Sequence, residues 1–116
     1  MNVQQTVETA MLEQLRDLLG ERFQELVETF IRDGGRRMDL MRSAVPKRDF
    51  VTVHAEAHGL KGSARNIGAN ILGDVCCQLE QIGDAAEEAK LETNFAAVEQ
   101  EFAAVCDTLR AYVAKA

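Results

Sequence analysis

From Leu91 to Tyr112 the apolar residues step by four and three without a break: Leu91, Phe95, Val98, Phe102, Val105, Leu109 and Tyr112. That is the period of one face of an α-helix. A half-buried strand would instead alternate at every second position. The same helical period fills the rest of the chain, cut into pieces by glycine and proline. A first segment covers residues 6–19, with Met11, Leu12, Leu15, Leu18 and Leu19, and ends at Gly20. A second runs over 21–45 on Phe23, Leu26, Val27, Phe30, Ile31, Met38, Met41 and Val45, and Pro46 stops it. A third spans 49–66, with Asp49 as its N-cap and Phe50, Val53, Ala57, Leu60, Ala64 and Ile67 on its apolar face. Asn66-Ile67-Gly68 reads as its stop. The fourth covers 70–87, with Leu72, Val75, Cys76, Leu79, Ile82 and Ala86 inward, and the fifth covers 92–114.

Short connections make consecutive helices antiparallel neighbours. The expected fold is all-α: an antiparallel four-helix bundle with a short additional N-terminal helix as a cap. A coiled-coil dimer competes, but stripes interrupted by glycine do not sustain its heptads. The 116 residues support one core, so residues 1–116 form a single domain. Gly34 and Gly35 fall inside the second helix, where each costs about 1 kcal/mol against alanine. Either the helix kinks there or a neighbour comes close.

Charge removes several classes of function. Lys and Arg total 13 against 19 Asp and Glu, a formal net of −6. Such a chain has no general electrostatic attraction for nucleic acid or for an anionic membrane. No apolar run approaches a bilayer span of roughly 20 residues, and the N-terminus has no signal-peptide pattern. The three cysteines, Cys76, Cys77 and Cys106, are odd in number and show no C-x-x-C spacing, which fits core packing in a reducing, cytoplasmic setting.

The third helix carries the only unusual chemistry. His54, His58, Lys61 and Arg65 are spaced by four, three and four. At about 100° per residue they share an arc of roughly 60° at the edge of the buried face. The open side of that stripe bears Val51, Ala55 and Gly62, with Gly59 further round. Gly62 points away from the expected core, so it reads as clearance, one turn past His58, for a partner reaching the imidazole. Neutral imidazole is a good nucleophile near pH 7. Lys61 and Arg65 supply positive charge for an anion on the ring. Phosphoryl transfer needs little beyond positioning and charge stabilisation. The sequence has no phosphate-binding glycine loop and no acidic Mg²⁺ cluster, so the metal must come from a partner. A metal site on His54 and His58, at i and i+4, is a rival, yet the pattern is H-x-E-x-H with Glu56 on the opposite side and no third ligand. A scaffold bundle without phosphotransfer is the other rival, and it would require neither the glycines nor the basic stripe.

Ala57-His58-Gly59-Leu60-Lys61-Gly62-Ser63-Ala64, followed by Asn66-Ile67-Gly68-Ala69, resembles the signature of histidine-containing phosphotransfer (HPt) domains. Cys76, Leu79-Glu80 and Phe30 in the long second helix extend the similarity over nearly the whole chain. The resemblance implies that His58 accepts a phosphoryl group from a receiver-domain aspartate and passes it to another. It implies that Lys61 assists electrostatically and that Gly62 gives clearance. Ser63 matches the small polar position that follows, and Arg65 and Gly59 support the site. In some members a polar residue of the second helix stands near the phosphohistidine; here the glycine pair occupies that stretch. The expected partners are receiver domains of a hybrid sensor kinase or a response regulator, docking on Val51, Ala55, His58, Gly59 and Gly62. The chain is expected to be a monomeric phosphorelay intermediate with no cofactor of its own, Mg²⁺ being supplied by the receiver. Nothing resembles a nucleotide-binding motif, which separates it from a histidine kinase.

Overall fold

The computed structural model describes residues 5–115, which form five helices: α1 (Thr9–Leu19), α2 (Arg22–Ala44), α3 (Phe50–Asn66), α4 (Asn70–Ala85) and α5 (Glu88–Lys115). Each boundary has a local cause. Gly20 ends α1 at φ 57°, a left-handed conformation that a side chain would strain. The Asp49 side chain accepts from the Thr52 backbone N–H (3.2 Å) and the Thr52 hydroxyl (2.6 Å), which satisfies a free donor at the start of α3. Those bonds hold the Asp49 carboxyl below its ordinary pKa. Gly68, at φ 84°, turns the chain from α3 to α4 within residues 67–69.

The helices pack in a closed ring, α2 on α3, α3 on α4, α4 on α5 and α5 back on α2. With connections this short the ring is the expected antiparallel four-helix bundle. Leu60 and Val53 of α3, Leu72, Cys76 and Leu79 of α4, Leu91, Val98, Val105 and Leu109 of α5 and Met41 of α2 are sealed from solvent in one core. The first helix is the cap: Val7 and Leu12 are buried, and the Glu8 N–H donates to the Gly68 carbonyl (3.0 Å) at the α3–α4 turn. No described helix is long and apolar enough to cross a membrane.

The glycine pair of α2 resolves as a close approach. A Cβ at Gly34 would strike the Phe102 ring, which rests on Phe30 with centroids 6.0 Å apart, whereas one at Gly35 would meet nothing within 4 Å. The boundary that differs most is the start of α5, four residues earlier than the apolar stepping indicates. Its first turn, Glu88-Ala89-Lys90, carries no buried side chain and so leaves no mark in that pattern.

Candidate functional site

Helix α3 lies against α4 along its length because Val53, Ala57, Leu60 and Ala64 are completely buried. That burial turns the histidine stripe toward the exposed edge of the α3–α4 seam. The side chain of His58 is 65% exposed. Its Nδ1 lies 2.9 Å from Oε2 of Glu80, on α4. The other oxygen, Oε1, accepts from the Lys61 ammonium at 2.5 Å. One carboxylate therefore holds both the imidazole and the lysine, and the Glu80 and Lys61 side chains are only 16% and 19% exposed.

The electrostatics follow from this geometry. The Lys61 ammonium, and after it the His58 ring, hold the Glu80 carboxyl below the ordinary glutamate range, against a smaller opposing push from desolvation. An ionised carboxylate only accepts, so the neutral His58 ring carries its proton on Nδ1. That leaves the lone pair on Nε2, on the side of the ring away from Glu80.

The other residues singled out in the sequence are placed as follows. Val51 (81% exposed), Ala55 and Gly62 all face solvent. A Cβ at Gly62 would meet no atom within 4 Å, so nothing in the fold needs that glycine. Gly59 differs: a Cβ there would collide with the guanidinium of Arg37, which reaches across from α2 and pairs with Glu56 at 2.9 Å. Gly59 is thus a seat for a neighbouring side chain and not part of an open flank. Arg65 does not extend the site toward His58. Its stem packs over Gly73 and its guanidinium lies 3.5 Å from Asp74 of α4. Ser63 faces the other way, lining a cleft with Leu26, Thr29, Phe30 and Asp33 of α2.

Helix α4 accounts for these shifts. It brings Glu80 and Asp74 to a stripe that α3 alone makes purely basic. Glu80 lies 22 residues from His58 in sequence, and its role was missed because no spacing rule joins residues on two helices. The signal available was its place one turn past the buried Cys76 on a helix whose inward face was readable. Arg37 was missed too. It, and not the glycine pair, is the α2 residue that reaches toward the α3 stripe.

His54 is half-buried, with Nδ1 3.2 Å from the Glu80 backbone carbonyl. Its ring is parallel to that of His58, with centroids 6.4 Å apart and planes at 6°. A third ligand for a metal is not at hand. The Cys76 thiol is fully buried and burial pushes its pKa up to about 12. Among the described residues no three His, Cys, Asp or Glu side chains gather in a metal-ligand arrangement.

The described arrangement is a nucleophilic imidazole at the surface, proton-bearing nitrogen held, free nitrogen open, with a lysine on the same anchor. The family model for the Hpt domain matches residues 25–112. No curated protein matches the sequence. Among solved structures, histidine-containing phosphotransfer protein B (HptB) from Pseudomonas aeruginosa PAO1 is similar over 98% of this chain and 99% of that one, at 23% identity and a TM-score of 0.91. A rice protein assigned as a histidine-containing phosphotransfer protein is similar over 93% of this chain and 82% of that one, at 24% identity and a TM-score of 0.80. These two likenesses establish the fold.

Proposed function

The chain belongs to the Hpt domain family, and from that membership we propose that it relays phosphoryl groups through His58, taking them from a receiver-domain aspartate and giving them to another. The observation that carries this reading is the hold of Glu80 on both the His58 Nδ1 and the Lys61 ammonium. The Nε2 lone pair of His58 attacks the phosphorus of the aspartyl phosphate in line. An N–P bond forms, the acyl P–O bond breaks, and the aspartate carboxylate leaves with its electron pair. The ring, still protonated at Nδ1, gains positive charge as the bond forms, and the Glu80 carboxylate neutralises it. Lys61, beside the ring, stabilises charge spread over the phosphoryl oxygens. Transfer onward is the same step reversed, with a second receiver's aspartate as nucleophile.

Mg²⁺ belongs to the receiver in this scheme. The chain's own carboxylate at the site, Glu80, is already committed to Lys61 and His58. The docking face is Val51, Ala55 and Gly62 around His58, small or apolar groups that let a partner approach closely. The domain works as a monomer, and without a nucleotide site it takes no phosphoryl group from ATP directly.

Incubation with a phosphorylated receiver and Mg²⁺ tests the reading. Acid-labile, base-stable label is expected on the wild-type chain and none on His58→Gln. Full labelling of His58→Gln overturns the assignment.

A further inference from the structure

The second histidine of α3 has no part in the step above, yet its placement is specific. The Glu80 backbone carbonyl can only accept, so the His54 Nδ1 that it meets at 3.2 Å carries a proton. Glu80 therefore holds both rings by the same nitrogen, His54 through its main chain and His58 through its side chain. With the planes only 6° apart, both Nε2 atoms are directed away from α4. A close approach maintains this: a Cβ at Gly83 would press on the His54 backbone nitrogen at 3.0 Å. His54 opens onto a surface recess lined by Phe50, Val51, Gly83, Asp84 and Ala86. The charged and titratable groups around it are His58 and Lys61 on α3, and Glu80 and Asp84 on α4.

We infer that His54 is a second phosphoryl-contacting group: as an imidazolium, its Nε2–H donates to an oxygen of the phosphoryl group carried on His58. This rests on the phosphoacceptor reading of His58. A phosphoryl group on the His58 Nε2 projects its oxygens beyond the ring edge. The 6.4 Å between centroids then leaves room for one such oxygen and one charge-assisted hydrogen bond of about 2.8 Å. Neutral His54 presents only a lone pair at Nε2 and repels that oxygen. The contact therefore forms as pH falls through the His54 titration and is lost above it. His54 is not an alternative acceptor. Its Nδ1–H meets a neutral carbonyl instead of a carboxylate, and Ala57 stands where Lys61 serves His58.

The test uses the full chain, phosphorylated by a phosphorylated receiver and then separated from it. Ring NMR of His54 is followed from pH 5 to 9 with and without phosphate on His58. Phosphorylation is expected to raise the His54 midpoint by about one pH unit. Lifetimes of the phosphohistidine are compared between wild type and His54→Phe, which keeps a flat ring without a donor. At pH 6 the variant is expected to lose its label about three- to tenfold faster, and at pH 8 the two lifetimes should converge. If His54→Phe does not fold, His54→Gln is the second variant, and its lifetime ratio to wild type should likewise depend on pH. An unmoved midpoint, or lifetimes whose ratio is the same at both pH values, overturns the role of His54 alone. Failure of wild type to label at His58 overturns the phosphoacceptor reading instead.

Discussion

Substitution at Gly62 should move stability and phosphotransfer in opposite directions. The position is mid-helix, solvent-facing, and a Cβ there meets no atom within 4 Å. Replacing glycine by alanine in such a place gains about 1 kcal/mol of helix propensity, and glutamine gains slightly less. For a domain of this size that gain raises the melting temperature by about 3–6 °C. Function should respond the other way. Gly62 is one turn past His58 on the face that the receiver must cover, and phosphoryl transfer requires the attacking nitrogen and the phosphorus at about 3–3.5 Å in line. A glutamine side chain lying between the two proteins displaces that geometry by an ångström or more, a misplacement worth on the order of 100-fold in rate. The expected result is Gly62→Gln more heat-stable than wild type by circular dichroism, yet transferring from a phosphorylated receiver about 100-fold more slowly. Alanine should show the same stability gain with a smaller rate loss. Transfer by Gly62→Gln at the wild-type rate would refute the clearance argument, and a lower melting temperature would refute the open placement of the residue.

Two further perturbations separate the other parts of the site and fold. Glu80→Gln removes the shared anchor and should slow acceptance at His58. Since the folded protein holds the Glu80 carboxyl below its unfolded pKa, its contribution to stability is present above the ordinary glutamate range and is lost as pH falls through the folded value. The urea stability gap between wild type and Glu80→Gln should thus persist from pH 7 down to about 5 and narrow below about 4; a gap of constant size at pH 3 would contradict it. In α2, Gly35→Ala should stabilise by about 1 kcal/mol, while Gly34→Ala must turn the Phe102 ring off Phe30 and should destabilise by about 1–2 kcal/mol after the propensity gain. Like signs from the two substitutions in a urea titration would show that Phe102 yields freely.

The bundle was legible because four helices bury continuous stripes, and their period survives in the linear order of residues. The N-cap at Asp49 and the stop at Gly68 were legible for a similar reason, being local chemistry. The position of His58 at the edge of the buried face was readable too, since one helix wheel fixes it. What lay outside the sequence was everything that one helix does to another. Arg37 settling over Gly59 and Phe102 settling over Gly34 are two instances of glycines serving neighbours, whereas Gly62 looks the same in the sequence and has no neighbour at all. The charge of the stripe was misjudged on the same ground. Read on α3 alone, Lys61 and Arg65 add to each other; with α4 in place, each meets a carboxylate of its own.

The turn at Gly68 has a mechanical consequence. It joins the two helices that carry His58, Lys61 and Glu80, so the whole reacting set resides on one hairpin closed by three residues. Fraying of α1, or a transient loosening of α5 along its far end, changes none of the internal coordinates of that set. Local opening can therefore be frequent elsewhere in the bundle without interrupting chemistry. The reverse also holds. Loading and unloading of His58 need not strain the outer helices, so a loaded and an empty molecule differ at one surface spot and not in shape. A partner must then sense the load by touching it, and the domain carries its cargo as a rigid tray and not as a lever.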